Sequence, residues 1–368
     1  MSEIERQTMD ADIVCVGFGP ANAGFLTTLS RALMNPDGTP ALESQVMPGC
    51  PLQILCYERA DDIGFGVSGI VTTGQSIRAS FPDLDLTKEI PNSAEVTSET
   101  MAYLFDPIGA TRKTASTKFV DSVFKMGAGS GIMKGKKFHA AELPWIPPFL
   151  RKEPGLTLSM GSFMSWAGSK LMETGMIQIW PGTPVSEPVF DGEKVIGIRL
   201  ADQGVDKKGN PDACFMPGMD IHAPLTVVGD GPIGAVGRRL DQHFGLPEGH
   251  HQHDWAVGMK AVVQLPDSCD LKPGTVIHTM GYPEPEIFGF FYVYPDHTAS
   301  MGIFVPSWFE SPIRTSYRYL QHWMMHPYIW RHIEGGTLRS WGSPRTPDAC
   351  KDFAPHDRSV PPSMCRQI

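Results

Sequence analysis

The sequence predicts an α/β chain, α+β overall, in which a three-layer domain with a parallel sheet accompanies a domain built on an antiparallel sheet. Twice, at 13–33 and at 225–244, a short apolar segment runs into glycines and then into a helical pattern. This order is typical of parallel strands covered by helices. Residues 256–305 instead contain four short apolar segments separated by Pro and Gly, which predicts antiparallel strands.

The length and charge of the chain limit its class. Its 368 residues are enough for two domains with separate cores. The formal net charge is −9, from 40 acidic and 31 basic residues, so nucleic acid is not expected as a partner. We expect a first domain at 1–75 and 155–255, a second at 76–154 and 256–342, and an irregular tail at 343–368.

Cysteine usage and the N-terminus indicate a cytosolic chain. The seven cysteines are scattered and none forms a C-x-x-C pair, which predicts a reduced chain without a disulfide framework or a zinc site. The first residues are polar and acidic, unlike a signal peptide. No apolar run reaches the roughly 18 residues that span a membrane.

A glycine turn follows the first predicted strand, Ile13–Val16, and precedes a predicted helix. Gly17 allows the sharp turn, and Gly19 lets the backbone approach a pyrophosphate on the helix N-terminus. The third glycine of the G-x-G-x-x-G pattern is Asn22 here, so we expect slightly weaker packing of the helix on the strand. The pattern favours a Rossmann-like dinucleotide site over an ordinary strand–helix turn. Its expected residues are Gly17, Gly19, Pro20 and Ala21.

An acidic residue ends the next predicted strand. Gln53–Tyr57 runs directly into Glu58, where a carboxylate accepts hydrogen bonds from the adenosine ribose. The gap from the glycine turn exceeds the usual value of roughly 20 residues. Residues 35–51, rich in Pro and Gly, predict an inserted loop that explains the longer gap. Turn and carboxylate together favour binding of an adenine dinucleotide.

A glycine-dense loop follows Glu58 and contains Arg59 and Gly66. Its glycines allow the backbone to approach a flat ligand, so we expect both residues at the cofactor. A flexible surface loop is the alternative. The loop contains no cysteine pair, which argues against a disulfide reductase.

The second glycine turn follows Leu225–Val228 and matches G-x-G-x-x-G fully from Gly229 to Gly234. One interpretation is a second dinucleotide domain for NAD(P). No second strand ending in an acidic residue follows at the expected distance, so we favour a turn beneath a single flavin. Asp230 is then expected to bind the ribityl chain, and Gly231 to present its N–H to the pyrophosphate.

Residues 76–155 show little regular pattern. Lysines and phenylalanines are mixed at 113–138, and an apolar stretch follows at Trp145–Leu150. Such a mixture in an acidic protein is compatible with an anionic membrane surface. A solvated loop is the alternative.

We expect no metal site. His250, His251 and His253 are too close together to converge on one ion and predict a solvated loop. His322 and His326 have the i, i+4 spacing of a helical ligand pair, but no third ligand is evident.

The third antiparallel segment is aromatic. Phe288, Gly289 and Phe290 would line the sheet with apolar surface, which predicts a quinone or lipid contact. Ordinary core packing is the alternative interpretation.

Longer stretches resemble the electron-transfer-flavoprotein:quinone oxidoreductase family, from about Asp12 to Gly342. The most specific block runs from Gly209 through Met216–Ala223 to Gly231. The other blocks are Lys272–Gly274, Ile277–Pro283, and Trp323 with His326-Pro327 and Glu334–Gly336. The resemblance implies FAD, a monotopic membrane association and a hydrophobic quinone channel. It assigns to FAD the residues Gly17, Gly19, Glu58, Asp230 and Gly231; we add Gly234 from the second turn.

Two departures from the family concern the C-terminal region. The family carries a four-cysteine iron–sulfur cluster there, whereas this sequence has only Cys350 and Cys365 at a different spacing. A 4Fe-4S cluster is therefore not expected in this chain. Residues 344–368 do not resemble the family, so we expect a truncated or altered C-terminus, or a second polypeptide that supplies the rest.

We therefore expect an FAD-dependent oxidoreductase that passes electrons from a reduced electron-transfer flavoprotein to a quinone. It would be cytoplasmic and peripheral on the inner face of the membrane. No catalytic side chain is named, because the flavin does the chemistry. One alternative is an NAD(P)H-dependent flavin monooxygenase or prenyl reductase. Another is an inactive flavin-binding chain that needs a partner.

Overall fold

The computed structural model describes residues 5–64, 69–109, 111–206, 210–232, 234–245, 256–306 and 314–342. They form mixed α/β structure with parallel and antiparallel sheets, which confirms the predicted fold class. The chain divides into two compact units. The first unit comprises Met1–Phe65 and Phe163–His250, and the second comprises Gly66–Ser162 and His251–Ile368. Among the described helices, none is both long and apolar enough to cross a bilayer.

The described strands, in chain order, are β1 (Thr8–Asp10), β2 (Ile13–Val16), β3 (Ile54–Tyr57), β4 (Gly69–Thr72), β5 (Ser93–Glu95), β6 (Ser98–Leu104), β7 (Ala140–Glu142), β8 (Leu156–Ser159), β9 (Ile177–Trp180), β10 (Val185–Asp191), β11 (Lys194–Leu200), β12 (Gln203–Val205), β13 (Pro211–Met216), β14 (Asp220–His222), β15 (Leu225–Val228), β16 (Ala256–Gln264), β17 (Thr275–Met280), β18 (Phe288–Val293), β19 (Thr298–Pro306) and β20 (Thr337–Gly342).

The described α-helices are α1 (Pro20–Ala32), α2 (Gln75–Ser80), α3 (Leu86–Glu89), α4 (Ala115–Gly129), α5 (Met160–Met172), α6 (Ala235–Phe244), α7 (Ser316–Met324) and α8 (Pro327–Ile333). A short 3₁₀ helix spans Lys136–Phe138.

The first unit is built on a parallel sheet with the strand order β15-β2-β3-β9. All four residues of β2 are buried, because the strand lies between two neighbours and apolar packing covers it. Val14, Val16 and Leu55 belong to a core that also contains Val236 of α6. A second sheet in this unit has the order β1-β14-β11-β10.

The second unit is built on a seven-stranded sheet with the order β20-β16-β19-β18-β17-β6-β7. Every pairing in it is antiparallel except that of β17 with β6. α7 and α8 pack on one face, where Trp323 and Tyr328 join Phe291 in the main core. Phe290 and Tyr292 belong instead to a smaller apolar cluster. Alternation along β18 therefore separates the two clusters onto opposite faces.

The sequence predicted several of these elements. β2 and β15 have the predicted bounds, and the four predicted antiparallel strands are β16 to β19. The expectation of little regular structure at 76–155 is wrong. This segment contains the 15-residue helix α4 as well as β5 to β7. The glycines near the end of α4 masked its helical period, because glycine is the least favourable ordinary residue in a helix.

Candidate functional site

The first glycine turn leaves no room for a side chain. Gly17 has φ +81°, and a Cβ there would lie 2.8 Å from the carbonyl oxygen of Gly229. The N–H of Gly17 donates to the carbonyl of Tyr57 at 2.8 Å. Only glycine therefore allows β2 to turn this tightly between its two neighbouring strands.

The N-terminus of α1 follows this turn, and no acidic side chain lies in the first turn of the helix. Gly19 is the extended N-cap residue, and Pro20 is the first helical residue. α1 has no side-chain cap and no acidic residue in its first turn. Pro20 and Ala21 are exposed. The positive end of the helix dipole is thus open to an external anion, as a bound pyrophosphate requires.

Asn22 holds the turn together from within. Its side chain is buried, and its amide donates to the carbonyls of Val16 at 3.0 Å and Gly17 at 2.7 Å. Asn22 therefore takes the place of the third glycine of the pattern and makes two hydrogen bonds to the turn. The slightly weaker packing of the helix stays a prediction.

Glu58 joins the turn to the end of β3. Its Oε2 accepts from the N–H of Phe18 at 2.7 Å, and its Oε1 accepts from the N–H of Ala60 at 2.8 Å. Each carboxylate oxygen can accept a further bond. The side chain is thus fixed in orientation and can still receive ribose hydroxyls. Arg59 is exposed beside it.

The second glycine turn lies next to the first. β15 pairs with β2 in parallel, and the N–H of Gly229 donates to the carbonyl of Val16 at 2.9 Å. Both turns therefore belong to one sheet edge. This arrangement favours one dinucleotide site over two separate domains. Gly231 is exposed, with φ +84° and nothing within 4 Å of a Cβ placed there.

Asp230 makes a contact that the sequence did not predict. Its Oδ2 accepts from the N–H groups of Val236 and Gly237 in the first turn of α6, at 3.0 and 3.1 Å. A Cβ on Gly234 would lie 1.8 Å from Asp230 Cγ. Gly234 thus makes room for this carboxylate, which is its role within the chain itself. Both of these bonds use Oδ2, which leaves Oδ1 of Asp230 to accept from an external hydroxyl.

These observations fit an adenine dinucleotide. The cradle at Gly17 excludes any side chain, the first turn of α1 has no anion of its own, and Glu58 presents an oriented carboxylate. Gly66 lies outside the described residues, as do His250, His251 and His253.

The aromatic segment of the second unit divides between the two faces of its sheet. Phe288 is exposed, whereas Phe290 is buried and stacks on Tyr292 at 4.8 Å between ring centroids. A Cβ on Gly289 would lie 2.5 Å from both Thr279 Oγ1 and Trp323 Nε1. Gly289 therefore leaves space for Thr279 and Trp323 on the core face of the sheet, while the two phenylalanines lie on the opposite face.

His326, one of the two histidines with i, i+4 spacing, has a structural role. His326 caps α8 by accepting from the N–H of Tyr328 at 3.2 Å, and its Nε2 lies 2.9 Å from the carbonyl oxygen of Phe105. Burial lowers the pKa of His326 to about 4. No cluster of three metal-ligating side chains occurs among the residues that the structure describes.

α4 presents an apolar stripe to solvent. Phe119 and Met126 are each 70% exposed, and Val123 lies between them on the same face. Phe124 packs inward and stacks on Tyr103 at 4.5 Å. Lys118 and Lys125 are exposed on the same helix, and Ile132, Trp145 and Phe149 are further exposed apolar residues of this segment.

Solved structures with a similar fold include a reductase-like protein and a halogenase. A geranylgeranyl bacteriochlorophyll reductase-like protein from Thermoplasma acidophilum has a TM-score of 0.56 and 15% identity, over 92% of this chain and 66% of that one. A variant of the halogenase PltM in complex with FAD has a TM-score of 0.54 and 11% identity, over 90% of this chain and 59% of that one. At this identity the likeness shows the fold alone.

The sequence relatives share one name. Residues 255–345 match the family model described as "ETF-QO, ubiquinone-binding". The probable electron transfer flavoprotein-ubiquinone oxidoreductase of Acinetobacter baylyi is 25% identical over 93% of this chain and 54% of that protein. The mitochondrial enzyme of Arabidopsis thaliana is 34% identical over 54% of this chain and 32% of that protein. The chain is thus related to the electron transfer flavoprotein-ubiquinone oxidoreductases, which confirms the predicted resemblance. It spans about half the length of the curated relatives that it matches over most of its own length.

Proposed function

We propose that this chain binds FAD in its first unit and passes electrons from a reduced electron-transfer flavoprotein to a membrane quinone. The observation that carries the proposal is the pair of adjoining glycine turns, at Gly17 and Gly229-Asp230-Gly231, beside the oriented carboxylate of Glu58. The match of residues 255–345 to a ubiquinone-binding family supports the choice of acceptor.

Different residues of the first unit are assigned to different parts of the cofactor. Gly19, Pro20 and Ala21 place the open end of α1 at the pyrophosphate, and Gly231 presents its exposed N–H to the same group. Glu58 accepts from the adenosine ribose while it keeps its bonds to Phe18 and Ala60. Bound FAD would supply both two-electron and one-electron redox chemistry.

The remaining predicted residues take supporting positions. The Oδ1 of Asp230 accepts from the ribityl chain, and Gly234 keeps the aspartate in place by leaving space for it. Arg59 and Gly66 are assigned to the cofactor as well. The proposal requires no iron–sulfur cluster in this chain.

The quinone is assigned to the sheet face that carries Phe288 and Phe290. The exposed ring of Phe288 offers apolar contact, and the stacked pair of Phe290 and Tyr292 forms a rigid aromatic base. Gly289 supports this face indirectly, because its missing side chain lets β18 lie close to Trp323.

The membrane contact is assigned to α4. Its apolar stripe of Phe119, Val123 and Met126 suits the acyl boundary, and Lys118 and Lys125 suit anionic headgroups. We place this contact on the inner, cytoplasmic face of the membrane, with the chain bound peripherally.

An absorption experiment tests the proposal. The purified chain is reconstituted with FAD, and its visible spectrum is followed after anaerobic addition of reduced electron-transfer flavoprotein and then of a soluble quinone. We expect a flavin band that bleaches with the donor and returns with the quinone. No flavin band after added FAD overturns the proposal. Bleaching by NADPH, but not by the protein donor, selects a monooxygenase or prenyl reductase instead.

A further inference from the structure

A buried histidine–carboxylate pair occupies the sheet of the second unit. His278 lies on β17 and Glu99 on the adjacent parallel strand β6. Nε2 of His278 lies 3.3 Å from Oε1 of Glu99. The two side chains are only 9% and 1% exposed. Burial of two titratable groups is costly, so the fold retains this pair against a desolvation penalty.

The carboxylate of this pair is held from its other side. The backbone N–H of Lys152 donates to Glu99 Oε2 at 3.0 Å, and the N–H of Glu153 donates to the same oxygen at 3.4 Å. These backbone bonds orient the Glu99 carboxylate towards the imidazole of His278.

The pair lies on the aromatic face of the sheet. His278 is the direct cross-strand neighbour of Phe290, and its ring centroid is 6.3 Å from that of Tyr292. α7 and α8 cover the opposite face, together with Phe291. The imidazole therefore adjoins the phenylalanine to which the proposed function assigns the quinone.

We propose that His278 relays a proton to the reduced quinone and that Glu99 positions its imidazole for this step. The inference rests on the proposed function, since it requires a quinone as electron acceptor. A quinone becomes a quinol by taking up two electrons, which come from the protein donor, and two protons. In the relayed step an N–H bond of the imidazolium breaks and an O–H bond forms on the quinone. Solvent returns a proton to His278 and supplies the second one.

The environment of His278 suits a proton donor. Burial is the largest influence on its pKa and lowers it, and the nearby charge of Lys152 acts in the same direction. The hydrogen bond to Glu99 acts against them. The lowered pKa favours proton release from the imidazolium, and the hydrogen bond to Glu99 stabilises the charged form of the ring.

Measurements with two different electron acceptors distinguish the proton relay from electron transfer. Reoxidation of the reduced protein is measured with a soluble quinone, which needs protons, and with ferricyanide, which needs none. For His278→Gln we expect quinone reduction to slow by about 10²-fold, with ferricyanide reduction unchanged. Glu99→Gln should lower the quinone rate less. The quinone rate, but not the ferricyanide rate, should depend on solvent deuterium.

His332→Gln is the matched control. His332 is also buried and its ring lies 6.0 Å from that of Phe291, on the opposite face. This variant should leave the ratio of the two rates unchanged. An equal loss with both acceptors in His278→Gln, or an unchanged quinone rate, overturns the relay. If the protein is not reduced at all, the proposed function has failed instead.

A second readout does not depend on electron transfer. Nitrogen-15 NMR of the histidines in the FAD-free protein follows the His278 imidazole while a short-chain quinone is added. We expect its nitrogen signals to shift, those of His332 to stay, and the shift to change in Glu99→Gln. No quinone-dependent shift at His278 overturns the relay even where the activity assay fails.

Discussion

The N–H of Phe18 donates to Oε2 of Glu58 across 2.7 Å, which joins the glycine turn after β2 to the end of β3. The acidic residue of the dinucleotide motif is therefore also a structural support of the turn. A substitution at Glu58 acts on the empty protein as well as on the cofactor.

Glu58→Gln is expected to weaken FAD binding by roughly 10- to 100-fold, because a hydrogen bond to a charged group contributes about 1.5–3 kcal/mol. Titration of flavin fluorescence measures the dissociation constant. Asp61→Asn, at an exposed position three residues further on, should leave it unchanged. Equal affinity of wild type and Glu58→Gln would show that the carboxylate does not face the ribose.

Gly17→Ala is expected to destabilise the first unit by about 1–3 kcal/mol, the usual range for a strained backbone conformation, and to abolish FAD binding. The added Cβ would lie 2.8 Å from Gly229 O at φ +81°. Gly24→Ala is the control, since nothing lies within 4 Å of a Cβ at that position of α1. It should stabilise the protein by roughly 0.4–1 kcal/mol. Urea unfolding compares the two; similar midpoints would contradict the tight turn.

Stability of the second unit is expected to fall as the pH is lowered from about 6.5 towards 4. Burial lowers the pKa of both His326 and His332 to about 4 in the folded protein. The unfolded chain then binds more protons than the folded one within this window, so acid favours unfolding. Above about pH 6.5 both histidines are neutral in either state and the effect is absent.

His332→Gln tests this linkage. It should remove about 3 kcal/mol of the total loss between pH 6.5 and 4, since each pKa unit corresponds to about 1.4 kcal/mol. The free energy of unfolding in urea is measured at several pH values for both proteins. Parallel pH profiles for wild type and variant would refute a buried, neutral His332.

The double substitution Phe119→Ser with Met126→Ser is expected to reduce binding to vesicles that contain anionic lipid by at least about tenfold. A large apolar side chain contributes about 1.5–3 kcal/mol when it is fully buried. Cosedimentation measures the bound fraction. Leu42→Ser, which removes an apolar residue that is 57% exposed in the first unit, is the control. Undiminished binding of the double variant would exclude α4 as the membrane contact.

Local pattern was sufficient for much of the fold. The apolar run Ile13–Val16, the glycines that follow it and the helical period after them identified β2, the turn and α1, because each depends mainly on neighbouring residues. α4 was missed because its local sequence pattern is weak. Its glycines weaken the local signal, and packing of Phe124 on Tyr103 stabilises the helix from outside the segment.

Long-range contacts could not be predicted in this way. Sequence alone suggested Asp230 as a ribityl ligand, but only the fold brings its carboxylate to the N–H groups of α6. The sequence also gave no indication that the side chain of Asn22 would donate hydrogen bonds to the turn. In both cases a short polar side chain satisfies buried backbone groups whose positions depend on neighbouring elements.

By itself the sequence determined the fold class, the two glycine turns and the acidic strand end, because these follow from backbone requirements and motif spacing, and its longer motifs showed the resemblance to a known family. The tertiary structure decided which face each side chain occupies. Glu99 and His278 are 179 residues apart and share no motif, yet pairing of β6 with β17 places them 3.3 Å from each other. Strand register sets such a contact, and register is a property of the assembled sheet.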